Sequence, residues 1–295
     1  MEERTFGPVR FIPGNNRSRY PHCNSLYIEG AGILIDPGSN RERLARLKQD
    51  PGVKSVWLSH YHDDHILYLD LFDDVPLCLS EPDALPLTDL ELYLDWTGAE
   101  DIEEFREHWR KYYIEELHFK PRFPKNILRG GDQIRLPGVT VEILHTPGHT
   151  AGHLAFFFEE VGVLFLGDYD LSAFGPMCGE PNASVTEAIR SIRRLRTIPA
   201  KIWITSHGVG VFTENPDKLW DNYLGAIAQR ENKILYALTQ PMTFEEIVDI
   251  GIIYGRPNRP RAYYVLGERC VIRKHLEHLI EESRVRQDGK EYVRV

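Results

Sequence analysis

Apolar residues in the first eighty positions come in short runs separated by turn residues. Asn24 to Glu29 and Gly32 to Asp36 are apolar stretches bounded by glycine, the second ending in Asp36-Pro37-Gly38, and both are expected to be strands. Arg41 to Gln49 has the spacing of a short amphipathic helix, stopped by Pro51-Gly52. Val53 to Leu58 forms another strand, with Ser59-His60 directly after it, and Val75 to Leu79 a further one. The pattern returns at Val139 to Leu144, Leu154 to Phe158, Val163 to Leu166 and Lys201 to Thr205, with a tight turn near Glu159 to Gly162. Helices are expected at Ser184 to Arg196, with Ser184 as N-cap, and at Pro216 to Leu238.

Two stretches break this rhythm. Between Glu81 and His118 there are twelve acidic residues and three basic ones, and Leu90 to Trp96 and Ile102 to Tyr113 have helical apolar spacing. This is a helical insertion, about 81–128, whose charge forms a solvated face. From about Gln240 the elements become compact: a short helix from Phe244 to Ile250 started by Thr243, a longer one from Leu266 to Glu282, and a hairpin over Arg284 to Val295 turning at Asp288-Gly289. Residues 240–295 therefore read as a winged-helix-like module behind a catalytic domain at 1–239.

Composition narrows the class. Of 295 residues, 42% are hydrophobic and 27% charged, the balance of an ordinary soluble protein. No apolar run is long enough to span a membrane, and MEERTFGPVRF lacks the basic start and apolar core of a signal peptide, so a cytoplasmic location and no membrane partner are expected. Cys23, Cys78, Cys178 and Cys270 form no CxxC pair and are expected to be buried thiols. A net charge of −9 argues against a dedicated polyanion binder. The tail from Pro241 holds ten basic and nine acidic residues, and Arg256 to Arg261 is the patch that keeps nucleic acid in play.

The chemistry is concentrated in His60-Tyr61-His62-Asp63-Asp64-His65, which follows a buried strand. One zinc ion prefers about four ligands, and a single short loop cannot wrap all of these groups around one ion. It can divide them, with His60 and His62 toward one metal and Asp64 and His65 toward another. Three further candidates also sit just after apolar strands: His149 in Thr146-Pro147-Gly148-His149-Thr150, Asp168 after Gly167, and His207 between Ser206 and Gly208. One active-site edge would explain that repeated placement.

With SHYHDDH at 59–65, TPGHT at 146–150, LGD at 166–168 and SHG at 206–208, the chain resembles the metallo-β-lactamase superfamily. The resemblance implies an α/β fold, the four-layer αββα sandwich. It implies one metal held by His60, His62 and His149, a second by Asp64, His65 and His207, and Asp168 bridging both. Asp36, in LIDPG, would be a supporting or structural group. Oxygen-reducing members carry glutamate where this chain has His62, which favours hydrolysis over redox chemistry. Ile66-Leu67 stands where many members have glycine, so the local helix start is expected to differ.

The implied activity is hydrolysis with two divalent ions, zinc by default, with iron and manganese accepting the same donors. A water shared by two such ions is acid enough to supply hydroxide near neutral pH. Asp64 and Asp168 are the catalytic candidates; His145 and His153 are expected to be structural, and Tyr61 and Tyr169 to pack. The expected substrate is a small-molecule thioester, ester or lactone, as in glyoxalase II-like members; Leu171 replaces the tyrosine usual in the lactonase branch. The alternative is a phosphodiesterase or endoribonuclease acting on RNA, disfavoured by the acidic insertion and the neutral tail. That tail is expected to pack on the core or to mediate a homodimer.

Overall fold

Along β3 (Ser25–Ile28) and β4 (Ile33–Ile35) every residue is buried, yet alternate side chains enter different cores. Leu26, Ile28, Ile33 and Ile35 meet Phe156, Phe158, Val163 and Phe165, whereas Tyr27 and Leu34 turn away onto Leu44, Leu47 and Tyr93. The second sheet does the same: Ala155, Phe157 and Leu164 face outward against Ala188, Ile192 and Trp220. Sheets covered on both faces are why these strands read as continuous apolar runs. The result is two sheets face to face with helices outside each, the four-layer αββα sandwich.

The computed structural model describes residues 1–98, 103–255 and 261–295, with the side chains of 261–265 outside the description. Residues 256–260 of the Arg256 to Arg261 patch lie outside the described residues, and of Arg261 only the backbone is described. The first sheet runs in sequence order through β1 (Arg4–Phe6), β2 (Val9–Ile12), β3, β4, β5 (Ser55–Trp57), β6 (Leu77–Leu79) and β7 (Asn126–Ile127). From β4 onward its pairings are parallel. The second contains β8 (Gln133–Leu136), β9 (Val139–His145), β10 (Leu154–Phe158), β11 (Val163–Phe165), β12 (Ile202–Ile204) and β13 (Val211–Phe212), with β11 and β12 parallel.

Helices follow from their caps. A single turn, α1 (Asn15–Ser18), precedes α2 (Arg41–Leu47), where Asn40 Oδ1 accepts from the Arg43 amide at 2.8 Å. α2 ends two residues earlier than its apolar spacing suggests, giving way to a widened turn over Lys48–Gly52 that contains Pro51. After the short α3 (Asp63–Ile66), the insertion supplies α4 (Leu90–Trp96), capped by Asp89, and α5 (Glu103–Glu115). Its closing residues are not helical: Asn126–Ile127 pair with β6 and rejoin the first sheet. Ser184 caps α6 (Val185–Arg196) as its sequence indicates, and α7 (Asp217–Ala237) packs beside it on the second sheet.

Beyond α7, Thr243 and Glu246 form a capping box at the start of α8 (Phe244–Asp249). α9 (Arg261–Glu281) leads into the hairpin β15 (Val285–Asp288) and β16 (Glu291–Arg294), and β14 (Met242–Thr243) pairs with β16. Ile247, Ile272, Leu276, Leu279 and Val285 join Ile234 and Leu235 of α7 in one core. Among the described residues no helix is long and apolar enough to cross a membrane.

Candidate metal centre

His60 to His65 follow β5, His149 follows β9, Asp168 follows β11 and His207 follows β12, so four strand ends deliver seven donor residues to one edge of the sandwich. Donor atoms of His60, His62, His149 and Asp168 lie within 4.8 Å of one another, as do those of Asp64, His65 and His207. Asp168 belongs to both neighbourhoods. Its Oδ2 lies 3.3 Å from His149 Nε2, and its Oδ1 lies 2.9 Å from His65 Nε2 and 3.4 Å from His207 Nε2. Asp64 Oδ2 is 3.1 Å from His207 Nε2. All seven residues singled out in the sequence are therefore brought together.

The outward-facing nitrogens decide which nitrogens face inward. His60 Nδ1 donates to Ser59 Oγ at 2.9 Å, His65 Nδ1 to Asp36 Oδ2 at 2.9 Å, His149 Nδ1 to the Met177 carbonyl at 2.6 Å and His207 Nδ1 to the Ser18 carbonyl at 2.8 Å. His62 presents Nε2 to the Glu180 carboxylate. With the ring proton spent outside, each imidazole turns a bare lone pair toward its neighbours. His149 Nε2 then sits 3.2 Å from His60 Nε2 and 3.0 Å from His62 Nδ1. His65 Nε2 and Asp168 Oδ1 are buried and make no hydrogen bond, although they are 2.9 Å apart.

Lone pairs aimed at one another repel unless a cation lies between them. Tetrahedral zinc at about 2.0–2.1 Å from each nitrogen would set those nitrogens roughly 3.3 Å apart, close to the spacing seen. The carboxylates suit the same role. Burial opposes ionisation of Asp168, but His65 and then His207 outweigh it and hold the carboxyl well below its usual range. Asp64 is likewise held low against burial, again chiefly by His65. Ionised carboxylate and neutral imidazole are the forms that bind metal. The donor set fits two divalent ions.

The family model described as Metallo-beta-lactamase superfamily matches residues 20–207, well over half of the chain. The chain belongs to the metallo-β-lactamase superfamily. A "Probable metallo-hydrolase" from Streptococcus pyogenes serotype M6 is 29% identical over 188 residues, covering 60% of this chain and 74% of the relative. A "Hydroxyacylglutathione hydrolase" from Synechococcus sp. is 27% identical over 215 residues, covering 63% of this chain and 80% of that one. A metallo-beta-lactamase family protein from Thermus thermophilus shares the fold at a TM-score of 0.71 with 24% identity, covering 98% of this chain and 99% of that chain. This member of the superfamily is a metal-dependent hydrolase.

Much of what shapes the superfamily site here comes from outside its motifs. Asn16, Arg17 and Ser18 all adopt left-handed φ, at 50°, 58° and 53°, a strained run that carries the Ser18 carbonyl to His207. Asp36, at φ 53°, accepts from the Ser59 amide and hydroxyl as well as from His65, so it orients a candidate ligand rather than capping a turn. Asp83, from the insertion, accepts from Thr150 Oγ1 at 2.6 Å and the Gly152 amide at 2.7 Å, pinning the His149 loop. Gly148, at φ 133°, lets that loop touch α6: a Cβ there would come within 2.3 Å of the Ala188 nitrogen. Asp170, near Asp168 and His207, accepts from the His207 amide at 2.9 Å.

His153 accepts from the Asp168 amide at 3.1 Å and pairs with Thr146 Oγ1 at 2.8 Å, and burial keeps it neutral. His145 contacts the Ala151 carbonyl at 2.9 Å. Tyr61 donates to Glu180, and Tyr169 donates to the Pro147 carbonyl at 3.0 Å, so both hydroxyls are engaged within the protein. Cys23, Cys78 and Cys178 are buried, but Cys270 is only partly so and lines the cavity, because α9 passes over the site. That cavity, about 700 Å³, opens above His62, Asp64, His149, Asp168 and His207.

Proposed function

We propose that the chain hydrolyses a small-molecule ester of the thioester, oxygen-ester or lactone class, at a site holding two zinc ions. His60, His62 and His149 would hold one and Asp64, His65 and His207 the other, with Asp168 serving both. The observation that carries the reading is the setting of this donor set: the floor of a 700 Å³ cavity whose lining includes Asp63, Asp64, Asp168, Asp170 and Glu180. A cavity of this size suits a compact substrate, and Arg19 is the one lysine or arginine among its described lining residues to meet a nucleic-acid backbone. The relative named hydroxyacylglutathione hydrolase, after a thioester substrate, points the same way.

Two such ions, when bound, supply a water acidified toward neutral pH and a Lewis acid for the attacked oxygen. The chain's own residues provide placement. Ser59, Asp36, Met177, Ser18 and Glu180 each hold one ring nitrogen of a candidate ligand, so the inward lone pairs keep their aim. Asp168 is itself fixed through its backbone, its amide donating to His153 and its carbonyl accepting from Tyr223 at 3.1 Å. Residues 240–295 would act as a module that closes over the catalytic part. Purified protein should contain two zinc per chain and cleave thioesters in a panel set beside lactones, bis-p-nitrophenyl phosphate and labelled RNA. Turnover of the phosphodiesters with silent thioesters would overturn the reading.

A further inference from the structure

Three stretches far apart along the chain meet above the metal-binding donors. Trp109 and Tyr113 come from α5, Phe174 and Met177 from the loop between β11 and α6, and Tyr254 and Leu266 from the C-terminal part. Together they wall one side of the 700 Å³ cavity.

The wall is held in place by contacts of its own. Arg230 of α7 is buried and donates to the Phe174 carbonyl at 2.5 Å and the Pro176 carbonyl at 2.7 Å, and its guanidinium lies 4.5 Å from the Phe174 ring centre. Glu268 of α9 is also buried and accepts from the amides of Ile253 and Tyr254, each at 2.9 Å. This sets the Tyr254 ring 5.4 Å from Phe174 and its hydroxyl 3.7 Å from Met177 Sδ. α9 can pass so close because residue 267 is glycine; a Cβ there would fall 2.9 Å from the Tyr254 ring. Phe105 of α5 packs on Leu266, and Cys270 Sγ donates to the Gly98 carbonyl at 3.8 Å, which closes the seam between insertion and C-terminal part.

The lining is also selective in charge. Arg19 is the one lysine or arginine among the described lining residues, so away from the metal-binding donors the wall offers aromatic and aliphatic surface. Resting on the ester-hydrolase reading above, we infer that the substrate carries a bulky apolar group that docks against Trp109, Phe174, Met177, Tyr254 and Leu266. Its scissile carbonyl would reach the donors below. The insertion and the C-terminal part thereby set substrate choice jointly.

The test uses the metal-loaded full chain and two series of thioesters. One carries acyl groups from acetyl to decanoyl on N-acetylcysteamine; the other carries acetyl on thiols of the same lengths. In whichever series places its chain against the wall, kcat/KM should rise roughly threefold per methylene until the cavity fills. Phe174→Ala and Tyr254→Ala should each lower the long-to-short ratio about tenfold. In parallel, ketone analogues with methylene in place of the thioester sulphur are titrated by calorimetry; the long analogue should bind at least tenfold more tightly than the short one, and less so in the variants. Flat or falling rates in both series, with equal ketone affinities, would overturn the inference. If neither thioesters nor oxygen esters nor the lactones of the panel are cleaved, the ester-hydrolase reading fails, and the ketone titration alone decides this one: discrimination by length upholds it and indifference ends it.

Discussion

Asp36 places Oδ2 2.9 Å from His65 Nδ1 and accepts from Ser59 with both carboxylate oxygens. The carboxylate keeps the ring proton of His65 on the side away from Asp64 and Asp168. Asp36→Ala removes that anchor, and loss of such an outer partner typically lowers metal affinity roughly 10–100-fold. Competition with a chromophoric chelator should show the Asp64, His65 and His207 site weakened by that amount and the His60, His62 and His149 site, which Asp36 reaches only through Ser59, weakened less. Asp36→Asn keeps an acceptor for His65 and should weaken binding less. Equal weakening of both sites would contradict the proposed division of ligands.

Glu180 makes a comparable prediction for the other site. Glu180 faces His62 Nε2 and draws the ring proton to that side, away from Nδ1, the nitrogen 3.0 Å from His149 Nε2. Glu180 also accepts from Tyr61, which ties the HxHxDH loop to the 178–182 segment. Glu180→Gln should weaken zinc at the His60, His62 and His149 site roughly 10–100-fold, measured as above, with melting changed little in excess metal. Unaltered zinc affinity would reduce the contact to packing.

The contrast between these two carboxylates shows what the chain reveals to inspection. Asp36 lies in LIDPG, a turn directly after an apolar strand, and its candidacy is visible there. Glu180 meets His62 across 118 positions, and no local spacing marks it. The seven donors were legible because strand ends put short polar motifs after apolar runs, and periodicity registers both. Asp83 and the Ser18 carbonyl reach the site through tertiary approach, which leaves no period to detect. The helices of the insertion and of the C-terminal part were visible as elements, but their meeting at Phe105 and Leu266 was not. Asn126–Ile127 is only two residues long, too short to show as a strand before β6 pairs with it.

Gly148→Ala tests how the His149 loop is held. A methyl group there would lie 2.3 Å from the Ala188 nitrogen at a φ of 133°, so the loop or α6 must move. His149 would be displaced from His60 and His62. Turnover should fall on the order of 100-fold while the fold persists, since a misplacement of about 1 Å costs that much. Circular dichroism and zinc content separate the outcomes: wild-type turnover with two bound zinc ions would show that the loop tolerates the shift.

Outside the metal centre, Glu231 of α7 is buried against two histidines of α9, 2.6 Å from His278 Nδ1 and 3.4 Å from His275 Nδ1. Burial opposes its ionisation, but hydrogen bonds from His275 and His278 pull it down to about 2 from an ordinary 4.5. A depressed carboxylate contributes stability above its unfolded value, lost as pH falls from 4.5 toward 2. His278 is raised, chiefly by its hydrogen bond to Glu231, so its contribution is complete below 6.5 and fades as pH rises through the folded value. His275 is lowered by burial, so its term runs the other way and weakens the fold as pH falls below 6.5. Glu231→Gln leaves His278 with only the more distant Glu282, 3.9 Å from its Nε2, as an anionic partner at the junction of α7 and α9. Breaking one partner of a buried pair costs about 3 kcal/mol, and chemical denaturation near pH 6 should show that loss. The gap between variant and wild type should narrow as the wild type is acidified toward pH 2. A gap that stays constant over that range would mean that Glu231 acts through packing and not through its charge.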